Sequence, residues 1–120
     1  MVSRRGNHIF VVQTNAVVGR EDEFDEWYGS VHLPDALAVA GFVSAQRFRV
    51  SDTQRPGAGE YPYRYLTVYE MEGDPEAALA ALAEAVPGME MSTAMARDRK
   101  LHVFEAMTDR IPADPAAPAT

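Results

Sequence analysis

The stretch Glu23-Phe24-Asp25-Glu26-Trp27-Tyr28-Gly29-Ser30-Val31-His32-Leu33-Pro34-Asp35 builds an amphipathic helix and then interrupts it beside a histidine. At about 100° per residue, Phe24, Trp27, Tyr28 and Val31 fall on one arc, and Glu23, Asp25, Glu26 and Ser30 fall on the other. One face of this helix is therefore buried. Pro34 lacks an N–H, its ring crowds the carbonyl four residues back, and it disfavours helical geometry at Leu33. The helix is expected to end or kink at His32. His32 sits at the edge of the apolar arc, with Tyr28 one turn before it and Asp35 one turn after. A titratable ring with a phenol and a carboxylate in reach, at a helix break, makes His32, Tyr28 and Asp35 the candidate catalytic residues.

Outward from this stretch the chain keeps one rhythm. His8 to Gln13 is β-branched and aromatic and reads as a strand. Glu21, Asp22 and Glu23 crowd negative charge into the first turn of the helix, where the backbone dipole favours it. That helix runs from about Glu21 to Val39 and is closed by Gly41, and Phe42 to Val50 form a second strand. Ser51 to Glu60 is turn-rich and joins strand to strand, so it is a loop and not a phosphate cradle. A third strand is expected over Tyr61 to Met71, with Tyr61, Tyr63, Tyr65 and Tyr69 on one face. Asp74-Pro75-Glu76 starts an alanine-rich helix with an acidic N-cap, and Pro87-Gly88 stops it. Leu101 to Met107 is the last strand.

The order βαββαβ gives an α+β, ferredoxin-like antiparallel sheet with its helices on one face. Residues 1–110 form this domain, and 111–120 form a Pro/Ala-rich tail expected to be flexible. The strands carry apolar side chains on both faces: Phe10 and Val12 against Ile9 and Val11, Tyr65 and Tyr69 against Leu66 and Val68. A sheet with helices on one side would leave its second face wet and polar. Sheet-to-sheet homodimerisation is the simplest way to cover it.

Composition excludes several classes. Across 120 residues there is no cysteine, which removes disulfides, zinc thiolates and cysteine nucleophiles. The net charge of −7 argues against nucleic acid and against anionic membranes as partners. Ser3-Arg4-Arg5 precedes only a short apolar run, too short for a signal peptide or a membrane span, and a cytoplasmic location is expected. Three histidines without a spaced carboxylate motif do not suggest a metal.

The run from Gly19 to Tyr28, then His32-Leu33-Pro34-Asp35, then Gly41 to Phe48, resembles the EthD-type branch of the dimeric α/β-barrel superfamily. The first half of the chain carries the motif, and the second half agrees by rhythm. Ala40 stands where similar sequences often have proline. The resemblance implies two sheets closing face to face in a homodimer, with a cavity in each subunit between sheet and helices. The superfamily includes cofactor-independent monooxygenases, cyclases, isomerases, dehydratases and haem-degrading enzymes, so the fold does not choose the chemistry.

Several residues have two readings. His32 is a general acid/base or a helix-end cap, and Tyr28 is a cavity donor or a core aromatic. Asp35 orients His32 or serves as a first-turn acid. Asn15 reaches a cavity mouth or satisfies its own turn. Arg47 points inward with Ala45 if Gln46 and Phe48 face outward, and binds an anionic substrate or an acid at the dimer seam. Trp27 and Tyr65 complete the candidate substrate-binding set, Trp27 with core packing as its alternative. The methionines line an adaptable cavity or fill gaps. The functional expectation is a small-molecule enzyme performing cofactor-independent cyclisation, dehydration or isomerisation on an apolar, aromatic or polyketide-like substrate. A non-catalytic ligand-binding or accessory subunit is the alternative, and a cofactor-independent or haem-dependent monooxygenase ranks below it.

Overall fold

The computed structural model describes residues 7–115, so Ser3-Arg4-Arg5 and tail residues 116–120 lie outside the description. Strands β1 (His8–Thr14), β2 (Phe42–Arg49), β3 (Tyr65–Met71) and β4 (Lys100–Glu105) form one antiparallel sheet in the order β2-β3-β1-β4. Between β1 and β2 lie helix α1 (Glu21–Trp27), a π-helical turn (Tyr28–His32) and helix α2 (Leu33–Leu37). Helix α3 (Pro75–Ala85) and a 3-10 turn (Val86–Gly88) lie between β3 and β4. This is the ferredoxin-like α+β topology.

Strand alternation divides the sheet. Phe10, Val12 and Thr14 of β1 are buried, as are Thr67, Tyr69 and Met71 of β3. The register pairs Tyr69 with Phe10 and with Ala45, so these side chains share the helix-covered face. Phe10, Phe42 and Tyr69 meet there ring to ring, with centroids 5.8–6.0 Å apart. A second cluster gathers Phe24, Trp27, Tyr28 and Ala94 between the helical segment and the connection to β4.

Gly41 sets how closely α3 approaches. Its φ is +98°, and a Cβ there would lie 2.5 Å from Ala78 Cβ. Only glycine combines that backbone with that contact. At the start of α3, Asp74 caps the helix by accepting the Glu76 N–H at 3.2 Å.

Two expectations need correction. Leu33 stays helical (φ −61°, ψ −46°) and the helix does not end at His32. Pro34 falls in the first turn of α2, and the wider π turn before it has Leu33 N–H bonding to Tyr28 O five residues back. The widened turn relieves the ring-to-carbonyl crowding that a regular helix would impose on proline. The third strand begins at Tyr65 and not Tyr61. The Asn15 amide takes the backbone groups that a neighbouring strand would take, donating to Pro62 O and accepting from Arg64 N–H, both at 2.8 Å. Tyr61 bonds Gln13 and Tyr63 bonds Asp98, which fixes this segment as an ordered loop.

No helix among the described residues covers the other sheet face. Register places Ser44, Gln46 and Phe48, then Glu70, Val68 and Leu66, then Ile9, Val11 and Gln13, then Phe104, His102 and Lys100 side by side across it. Phe48 and Phe104 are 44% and 53% exposed. Tyr65 and Tyr69 belong to the helix-covered face, so neither could meet a partner sheet. Residues 111–115 are exposed and have no regular structure. No helix among the described residues is long and apolar enough to cross a membrane.

Candidate functional site

The π turn builds the site. Tyr28 opens it and His32 closes it, and both rings turn inward toward β1, β3 and α3. His32 stacks on Trp27 at 4.7 Å with 24° between the planes and meets the Tyr28 ring edge-on at 5.0 Å. Trp27 is in turn anchored by its Nε1–H, which donates to Glu90 O at 2.8 Å. The imidazole is thus held by two aromatic rings, one of which, Trp27, is hydrogen-bonded to the connection before β4.

In front of His32 is a partly enclosed cavity of about 110 Å³, lined by His32, Tyr28, Phe10, Phe42, Tyr69 and Met95, with Arg99 and Leu101 also on its wall. An apolar cavity of roughly 150 Å³ is known to take up benzene. This one therefore suits about one aromatic ring, with room for more of a ligand to project from the open side. A porphyrin would require the walls to move apart. Among the described residues, no group of three His, Asp or Glu side chains converges as a metal site would need.

The His32 Nδ1 is buried and has no hydrogen-bond partner among the described residues. With no described residue bonded to Nδ1, that nitrogen is left for a ligand. Burial pushes the imidazole below its ordinary 6.5; the Asp35 charge opposes that shift and the Arg99 charge adds to it. The ring is consequently neutral near pH 7 and able to accept a proton. Burial also raises the Tyr69 phenol far above the usual tyrosine range, with the nearby Tyr28 phenol adding to the effect and Arg47 opposing it. Tyr69 therefore keeps its proton and can donate a hydrogen bond.

Of the candidates chosen from sequence, His32 and Tyr28 meet at the cavity and the others do not line it. Trp27 stands behind His32. Arg47 lies on the helix-covered face as its alternation with Ala45 required, but it supports the site from behind. Its guanidinium sits 4.5 Å from the Tyr28 ring centroid, 5.4 Å from Phe24 and 5.7 Å from Tyr65, and its Nη2 bonds Asp25 Oδ1 at 3.0 Å. Tyr65 packs against Phe24 at 4.9 Å in this second cluster. Asn15 is committed to the loop before β3. Asp35 makes no hydrogen bond to Nδ1 and acts on His32 through its charge alone; it lines a separate surface depression with Ala38, Val39 and Met89. Sequence reasoning missed Tyr69 and Arg99. The inward alternation of β3 could have flagged Tyr69, whereas nothing local to Arg99 marks it.

No family model matches the chain, and no curated protein matches it. Solved structures do. A point variant of MhuD, crystallised with two manganese protoporphyrin IX molecules per active site, superposes with a TM-score of 0.62 at 17% identity, covering 88% of this chain and 99% of that one. An EthD-like protein from Ralstonia eutropha matches with a TM-score of 0.54 at 16% identity over 87% of this chain and 96% of that one. The fold is that of the EthD-type proteins. A variant of SnoaB, a cofactor-independent oxygenase from Streptomyces nogalater, shares it with a TM-score of 0.52 at 17% identity over 85% and 95% of the two chains. At such identities the likeness concerns the EthD-type fold, and the chemistry has to be argued from the cavity.

The burial of His32 has a measurable consequence. Its NMR titration midpoint should fall below 6.5. Because the folded state then binds the proton less readily than the unfolded chain, the associated stability is complete above 6.5 and is lost as pH falls through the folded midpoint. Urea melts at about pH 7.5 and about pH 5 should show a smaller loss for His32→Gln than for the wild type. A midpoint at or above 6.5 would contradict the buried, neutral ring.

Proposed function

We propose that the protein binds an apolar, aromatic or polyketide-like small molecule in this cavity and that His32 moves a proton on it without a cofactor. The observation that supports this most is the neutral imidazole at the wall of a largely apolar cavity, with Nδ1 free of any partner among the described residues. His32 takes a proton from an acidic C–H or O–H of the ligand, and the electron pair left behind becomes an enolate or phenolate. Tyr69, protonated throughout the neutral range, and Tyr28 beside it are the candidate donors to that oxygen. Returning the proton to another atom gives isomerisation; attack of the enolate carbon on a carbonyl of the same ligand, with His32 giving its proton to the new alkoxide, gives cyclisation; and departure of a β-hydroxyl as water, with the proton supplied by His32, gives dehydration. Substrate-activated oxygenation, as the fold likeness to SnoaB suggests, would use the same first step.

We further propose that a second copy of the chain covers the open sheet face. Phe48, Leu66, Val68, Ile9, Val11 and Phe104 form an apolar band across all four strands, and no segment among the described residues covers it. Burying a few hundred Å² of it at about 25 cal/mol/Å² gives several kcal/mol before association entropy is subtracted. Light scattering at micromolar concentration should report a dimer, and Val68→Glu should dissociate it. A wild-type monomer under those conditions would sink the proposal.

For catalysis, His32→Ala should lower turnover of the true substrate by about 10²- to 10⁴-fold while the protein remains folded. Near-normal turnover with reduced stability would remove His32 from the mechanism. Ligand binding with no turnover by the wild type, across substrates bearing an acidic proton, would favour an accessory binding protein.

A further inference from the structure

Among the described residues, Arg99 is the one permanently charged side chain on the wall of a largely apolar cavity. It lies just before β4, whose Leu101 shares that wall, and it is solvent-exposed as well as cavity-lining. Other arginines near the site are already engaged: Arg20 bonds Glu23 and Thr93, and Arg47 bonds Asp25. Among the described residues Arg99, by contrast, has its one side-chain hydrogen bond to the Met95 sulfur, at 3.9 Å from Nη1, and no carboxylate pairs with it. Thioether sulfur is a weak acceptor, so this contact leaves the guanidinium nearly all of its hydrogen-bonding capacity. Asp98, its neighbour in the chain, accepts instead from the Tyr63 hydroxyl at 3.0 Å.

The surroundings sharpen the contrast. The chain carries a net charge of −7, and helix α1 alone presents Glu21, Asp22, Glu23, Asp25 and Glu26. An anion is therefore disfavoured over much of the surface, whereas Arg99 puts a positive charge on the cavity wall. The Arg99 charge also reaches His32, since it disfavours the imidazolium.

Taking the cavity as the binding site proposed above, we propose that Arg99 is its anion-recognition residue. The ligand carries an apolar ring that enters the cavity and a carboxylate, or an oxyanion of similar charge, that remains at the mouth on the Arg99 guanidinium. Arginine suits this role because its fork of donors can meet both oxygens of a carboxylate at once. The pairing sets ligand orientation: the anionic end outward, the ring against Tyr28 and His32.

The test uses phenylacetate and its neutral isostere phenylacetamide, titrated into the full chain at low salt and followed by NMR. The wild type should bind phenylacetate about tenfold more tightly than the amide, with the preference shrinking as salt rises. Arg99→Gln should bring phenylacetate to the amide's level and leave amide binding unchanged, and Arg99→Lys should keep part of the preference. Equal binding of the two ligands by the wild type, with shifts at His32 and Tyr28, would overturn the role of Arg99 while leaving the cavity as the binding site. A preference that survives Arg99→Gln would do the same. Absence of binding by either ligand would overturn both.

Discussion

In a regular α-helix, residues five apart point about 140° away from one another, so Trp27 and His32 could not stack. They stack here because the turn between them is a π turn, with Leu33 N–H reaching back five residues to Tyr28 O. Pro34 makes that widening favourable, since a tight turn would press its ring against the preceding carbonyls and the first turn of α2 needs no N–H from it. One helical irregularity therefore turns an imidazole off the helix surface and into the space above the sheet. The cavity, the neutral histidine and its unpartnered Nδ1 all follow from it.

The rest of the fold holds that turn in place. Trp27 is tied to the connection before β4 through Glu90 O, and Arg47 braces Tyr28 from the sheet side with its charge over the ring and its guanidinium on Asp25. A cation over an aromatic face contributes on the order of 0.5–2 kcal/mol, more where water is excluded. Phe10, Phe42 and Tyr69 form the cavity floor on β1, β2 and β3, and Gly41 lets α3 come close enough for its Leu82, with Val86 of the 3-10 turn that follows, to form the far wall. The sheet thus separates two surfaces with different tasks: one encloses a ligand-sized space, and the other presents the apolar band assigned to a second copy.

Sequence periodicity made the topology legible because strand alternation and helical amphipathicity are local signals. The same locality explains what escaped it. Pro34 reads as an end or a kink, with Leu33 out of helical geometry, because the α-helix is the reference state and a π turn leaves no mark in the apolar spacing. The start of β3 differs because Tyr61 and Tyr63 alternate as a strand would, while the Asn15 amide, far away in sequence, takes the Pro62 carbonyl and the Arg64 N–H beside them. At the site, His32 and Tyr28 were visible together because they share a helix. Arg99 comes from a different part of the chain, and Asp35 looked like a partner only because sequence proximity stood in for direction. Arg47 was placed on the right face, but the aromatic rings and Asp25 that occupy it could not be read from β2 alone.

The central claim is that the cavity beside the π turn receives an apolar ring against His32, and a neutral aromatic probe tests it most directly. Titration of indole into the labelled protein should produce saturable NMR shifts at His32, Tyr28, Tyr69 and Met95, with little change at Val11 and Val68 on the opposite sheet face. Shifts confined to that opposite face, or no saturable change at the cavity residues, would contradict the account.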